Sequence, residues 1–230
     1  MNIVCIPGWG MKGSIFAPLL AQLAPAKDVS LVEWIDIDTV RCFRKRAEQA
    51  LCAPSLVIGW SLGSLVALEL AGAYPERVKR LVLIGGTSRF MTDDTYEAGW
   101  HRRIVERMKK QLYKRPDETI AAFLASLWAK GEEADISAFV HHERINELAI
   151  GLDYLLEADA RPFLPELDMP LLLIHGVSDT ICPPEAARYI AEQARNARFA
   201  LLPDAGHVPF VTNAAECARI IQTWAGGSDD

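Results

Sequence analysis

The sequence of 230 residues has no apolar run long enough to cross a bilayer; its longest are only a strand in length. Nor has it a basic excess, since 24 Lys and Arg against 30 Asp and Glu leave a net charge of −6. With no positive surplus to draw phosphate backbones, neither nucleic acid nor a membrane is expected as a partner. No Cys-x-x-Cys pair occurs among Cys5, Cys42, Cys52, Cys182 and Cys217. That argues against a disulfide framework and a structural zinc site, so buried free thiols in a reducing cytoplasm are expected. The opening Met1-Asn2-Ile3-Val4-Cys5-Ile6 lacks the basic and long apolar parts of a secretory leader, and none is expected. Repeats and low-complexity stretches are also missing. What remains is an ordinary globular composition, 50% hydrophobic and 23% charged, of a size for one domain or one domain with an insertion.

Short apolar runs at 3–6, 29–35, 55–58, 80–84, 171–175 and 198–202 are expected strands. They are apolar throughout and separated by helical patterns, as strands buried on both faces of a parallel sheet must be. Helices are expected at 14–23, 41–51 and 62–73. The last is small and apolar nearly all round and stops before Tyr74-Pro75, since proline cannot continue a helix. The fold class is therefore α/β, with a mostly parallel sheet of about six strands. Between 87 and 165 the alternation fails, and helices are expected at 97–114, at 117–130 and within 133–158. This predicts a helical lid, 87–165, inserted in a core made of 1–86 and 166–230. Gly226-Gly227-Ser228-Asp229-Asp230 reads as a frayed tail.

The sharpest chemical signal is Gly59-Trp60-Ser61-Leu62-Gly63, placed between an expected strand and an expected helix. A G-x-S-x-G turn in that setting strains the serine onto a helix N-terminus, where developing negative charge is favoured. A serine hydroxyl needs a base to take its proton. His207 fits, in the loop after the last strand, at the sheet edge where open α/β folds place their sites. His175 ends a strand and reads as core; His101, His141 and His142 read as solvated. The base needs a carboxylate to fix its tautomer. Asp179, in the turn after the fifth strand, fits the chain order Ser61, Asp179, His207. Asp204 is a rival, only three residues before the histidine. Two oxyanion donors are expected, the backbone N–H of Leu62 and that of Trp9 in the glycine-bearing loop Pro7-Gly8-Trp9-Gly10. The indoles of Trp9 and Trp60 would wall a pocket. No metal or cofactor is called for.

Pro7-Gly8-Trp9-Gly10, Gly59-Trp60-Ser61-Leu62-Gly63-Ser64, Tyr74-Pro75-Glu76-Arg77-Val78, His175-Gly176-x-x-Asp179 and Ala205-Gly206-His207-x-Pro209-Phe210 together resemble the α/β-hydrolase superfamily. Within it these loops are similar to those of the pimeloyl-[acyl-carrier protein] methyl ester esterases of biotin synthesis. The resemblance implies the α/β-hydrolase fold, a serine carboxylesterase working through an acyl-enzyme, and Phe123 on a lid helix lining an acyl channel. Pro7-Gly8 stands where the superfamily usually has His-Gly, which keeps the backbone donor and drops a polar side chain. The superfamily's N-terminal antiparallel hairpin is expected to be missing, which would expose a sheet edge and give a monomer or weak dimer. A general short-chain carboxylesterase, a carbon–carbon bond hydrolase of the same fold and a hydrolase-fold binding protein are the alternatives.

One more feature bears on the partner. From Trp100 to Arg115 there are seven Lys or Arg and one Glu. On a helical wheel Trp100, Ile104, Val105, Met108 and Leu112 share an arc, with Arg102, Arg103, Arg107, Lys109, Lys110 and Lys114 opposite. Such a stripe suits an acidic acyl-carrier protein, and equally an ordinary solvated face.

Overall fold

The computed structural model describes residues 1–227. Six strands form one sheet: β1 (Asn2–Ile6), β2 (Val29–Leu31), β3 (Ser55–Trp60), β4 (Val78–Ile84), β5 (Leu171–Gly176) and β6 (Ala197–Leu202). Their order is β2-β1-β3-β4-β5-β6 and every pairing is parallel. β1, β3, β4 and β5 are buried nearly throughout, which is why their sequences run apolar without alternating. β2 is shorter than expected. Beyond Leu31 the chain turns inward, burying Val32 and Trp34, and the Trp34 indole N–H donates to Pro7 O and Gly8 O.

The helices are α1 (Ala17–Gln22), α2 (Arg41–Ala50), α3 (Leu62–Ala73), α4 (Arg102–Lys114), α5 (Pro116–Ala125), α6 (Ile145–Glu157), α7 (Pro184–Gln193), α8 (Pro209–Thr212) and α9 (Ala214–Gly226). Strand order reverses direction at β1, so right-handed crossovers set α1 on one face of the sheet and α2, α3 and α7 on the other. α9 packs on α1. Its last residue is Gly226, so the expected tail begins later than the sequence suggests; Ser228, Asp229 and Asp230 lie outside the described residues. The thiols are free, but only Cys5, Cys182 and Cys217 are buried; Cys52 is exposed and Cys42 partly so. No helix among the described residues is long and apolar enough to cross a membrane.

Between β4 and β5 the chain leaves the sheet and forms α4, α5 and α6. The start and end of this segment are joined to each other. Arg89 and Asp159 form an isolated antiparallel bridge, with the Arg89 guanidinium 2.6 Å from the Asp159 carboxylate. Arg161 lies 2.7 Å from Asp159 and 2.8 Å from Asp93, closing the cluster. The first helix starts at Arg102 rather than 97, because His101 caps it: the Arg103 N–H donates to His101 Nδ1. Trp100 stays outside the helix, stacked on Phe90.

Candidate active site

Register brings Ile6 beside Gly59, Trp60 beside Ile84, and Ile84 beside Ile174, so the C-terminal ends of four strands meet at one sheet edge. The chain must turn sharply from β3 into α3, and Ser61 takes the strain at φ 54° and ψ −121°. Two elements make the turn possible. The start of α3 lies against the end of β1: a Cβ on Gly63 would sit 2.1 Å from Ile6 O and 2.7 Å from Pro7 O. Ser64 ties the turn down, since its hydroxyl donates to Ser61 O at 2.6 Å and accepts from the Thr87 N–H at 3.0 Å. Leu62 is the first residue of α3, where a backbone N–H has no intrahelical acceptor. The loop carrying Trp9 follows β1 directly and so runs beside this turn.

His207 Nδ1 and Asp179 Oδ2 lie 2.7 Å apart, with both side chains fully enclosed. Asp179 Oδ1 accepts from the N–H groups of Ile181 and Cys182 at 2.9 and 3.0 Å. Burial pushes this carboxyl up, but the charge of His207 and the hydrogen bonds from His175 and His207 outweigh it, and Asp179 is held well below the usual carboxylate range. Asp204 is exposed and does not reach the histidine. His207 Nε2 is buried without a hydrogen-bond partner, so the bond from Ser61 Oγ is open here. Such bonds often tighten only when substrate is bound.

Several placements differ from the sequence reading. Trp60 is not beside Trp9 on a pocket wall. Its indole N–H donates to His207 O at 2.9 Å and its ring lies 5.6 Å from the imidazole, so it seats the histidine loop. Trp9 is buried, its indole N–H donating to Leu148 O of α6 and its ring meeting the edge of Phe123 at 4.9 Å. Phe123 in turn lines a cleft of about 730 Å³ between α4 and α5, with Trp100, Met108 and Lys114. His175 is core, as expected. Its Nε2 is 2.5 Å from Cys182 O and 3.2 Å from Asp179, so it also shares the buried acid. His141 is buried, not solvated: the chain at Val140 bridges to Met11, and the His141 N–H donates to Gly10 O. His101 and His142 are exposed.

The basic arc is narrower than the wheel drew it. Val105, Met108 and Leu112 face the interior, and Lys109 sits on the same side, 2.6 Å from both oxygens of Asp153 on α6. Arg102 is held by Leu156 O and lies 3.8 Å from Glu106, while Ile104 is exposed. Arg103, Arg107, Lys110 and Lys114 remain exposed, spaced at i, i+4, i+7 and i+11 along one outer face of α4.

Sequence reasoning missed Gly85 at the end of β4. Its φ is +50°, and a Cβ there would sit 3.0 Å from His207 Nδ1 and 3.2 Å from Asp179 Oδ2. The Gly85-Gly86 pair was the available signal.

Residues 3–220 match the Alpha/beta hydrolase family, and the chain belongs to that family. It is 30% identical over 234 residues to the pimeloyl-[acyl-carrier protein] methyl ester esterase of Chromobacterium violaceum, covering 96% of this chain and 92% of that protein. The protein of the same name from Aromatoleum aromaticum is 30% identical over 251 residues, covering 96% of both. With esterases aligned over nearly its whole length, the chain is an enzyme of the carboxylic ester hydrolase type. Solved structures share the fold: an esterase from Exiguobacterium antarcticum (TM-score 0.81, 18% identity, 99% of this chain and 92% of that one). The enol-lactonase of Burkholderia xenovorans is similar (TM-score 0.81, 20% identity, 98% and 91%).

Proposed function

We propose that the chain is a serine esterase whose nucleophile, acid and base are Ser61, Asp179 and His207, and that its substrate is the methyl ester of a carrier-bound pimeloyl thioester. The observation that carries the mechanism is the enclosed His207–Asp179 pair at 2.7 Å, together with a serine strained onto the N-terminus of α3 at the C-terminal edge of the same sheet. The names of the relatives support the substrate.

In this reading Ser61 Oγ attacks the ester carbonyl while His207 Nε2 takes its proton. Asp179 holds Nδ1–H, which leaves Nε2 as the acceptor and stabilises the imidazolium that forms. The backbone N–H groups of Leu62 and Trp9 receive the negative charge on the carbonyl oxygen. The carbon–methoxy bond breaks and methanol leaves with the proton from His207. Water, deprotonated by His207, then attacks the acyl-enzyme; the Ser61 ester bond breaks and the carboxylic acid departs. Residues 87–165 act as the lid over a core of 1–86 and 166–230, with Phe123 against Trp9 lining the acyl path. The acyl-carrier protein docks on the outer face of α4 through Arg103, Arg107, Lys110 and Lys114.

The test is hydrolysis of a pimeloyl-carrier methyl ester and of short p-nitrophenyl esters by wild type and Ser61→Ala. Ser61→Ala should lose activity on both by about 10⁶-fold, the scale seen when a triad's nucleophile is removed, and should lose fluorophosphonate labelling. Retention of more than a few per cent removes Ser61 from the mechanism. A higher kcat/KM on short esters than on the carrier-bound one would assign a general short-chain esterase instead.

A further inference from the structure

We infer that Glu132 is a positioning residue for the general base, holding the His207 loop in register from the middle of the inserted segment. The inference rests on the reading of His207 as base. The Gly206 N–H donates to Glu132 Oε2 at 2.7 Å, and the Ala129 N–H donates to the same oxygen at 2.9 Å. The other oxygen accepts from the Thr212 hydroxyl on α8, just past the histidine. The next N–H in the loop, that of His207, donates to Leu127 O at 2.7 Å. Two consecutive loop amides are thus bound by residues 127–132, which follow α5. The His207 carbonyl is taken by Trp60 from the core side. The His207 peptide is therefore gripped at both ends, one by the core and one by the inserted segment.

The contact is close because nothing intervenes. A Cβ on Gly206 would lie 2.5 Å from Leu127 O, 2.6 Å from Ala129 N and 2.9 Å from Glu132 Oε2. A carboxylate accepting backbone N–H bonds makes a short, charge-assisted anchor. His207 Nε2 has no partner of its own to hold the ring against Ser61, so the backbone anchors and Asp179 set its place. A displacement of about 1 Å in such a group costs roughly 10²-fold in rate.

Glu132→Ala should lower kcat on p-nitrophenyl butyrate by about 10- to 100-fold with KM within about twofold. Rates are expressed per site titrated with a fluorophosphonate, so that a loss of folded enzyme does not register. Glu132→Gln keeps one oxygen for both amides and should recover kcat to within about threefold of wild type. His207→Ala is the control for the reading beneath. If it keeps its activity, His207 is not the base and that reading fails. If His207→Ala is inactive but Glu132→Ala keeps wild-type kcat, or changes KM alone, the positioning role is overturned. Should Glu132→Ala not fold, Glu132→Asp decides, since the shorter side chain keeps the charge but draws the oxygen back from the Gly206 N–H. A kcat lowered about fivefold or more at unchanged KM supports the role, and wild-type kcat overturns it.

Discussion

Asp179 is a carboxylate enclosed between two histidines and two backbone amides. Asp179→Asn leaves the shape intact but offers His207 Nδ1 an amide, favouring the wrong tautomer. It should lower kcat by about 10⁴-fold, whereas Asp204→Asn on the exposed turn should leave kcat within about twofold of wild type. Steady-state kinetics on one small ester suffice; the reverse ranking would unseat Asp179. Gly85→Ala tests the same pair without touching it. The new methyl would press on His207 Nδ1 and the Asp179 carboxylate from a backbone at φ +50°, so kcat should drop at least about 10-fold. Glu69, on α3, is a partly buried acid away from this pair, accepting from the Tyr154 hydroxyl at 2.9 Å. Burial raises its pKa, opposed by the Tyr154 hydrogen bond and the Arg44 charge. The sign follows: a raised folded pKa adds stability below the ordinary value of 4.5, and this is lost as pH rises through the raised value. Glu69→Gln keeps the acceptor without the charge. Its Tm relative to wild type should climb between pH 4 and pH 7. A difference that stays flat across that range refutes the assignment.

At the scale of elements, α4 shows what a helical wheel can and cannot say. The wheel set Lys109 opposite the apolar arc and Ile104 on it, but Lys109 lies on the face of Val105 and turns to Asp153 on α6, while Ile104 is exposed. Reversing Arg103, Arg107 and Lys110 to Glu should therefore lower kcat/KM for a carrier-bound methyl ester by about 10-fold or more, with the effect fading as salt rises. Lys109→Glu should instead lower Tm, by facing Asp153 with a like charge, and should spare the salt dependence. Equal losses on a small neutral ester would refute carrier docking on this face. The central strands were legible because burial on both faces leaves an unbroken apolar run. α3 was legible because Tyr74-Pro75 ends it. α7 and α9 went unread, and β2 was overdrawn because Val32 and Trp34 are apolar for the loop they bury rather than for a strand. The pairing of Asp179 with His207 was readable from local motifs. Glu132 was not: its partners Gly206 and Thr212 lie 74 and 80 residues away, and no short pattern marks such a contact.

For the molecule as a whole, the Arg89–Asp93–Asp159–Arg161 cluster ties together the two ends of the segment between β4 and β5. Arg161→Ala should hasten limited proteolysis within residues 93–159 while β-sheet content by circular dichroism stays unchanged; an unaltered cleavage rate would refute the tie. That cluster makes a neck. The chain beyond it forms a ring whose closure is already secured. Each doubling of such a ring costs only about 0.6 kcal/mol more. Changes of length past the neck therefore cost little, provided they spare the stretches that hold the site loops: Leu127 and Glu132 on the His207 loop, and Phe139, His141 and Leu148 on the loop that carries Trp9.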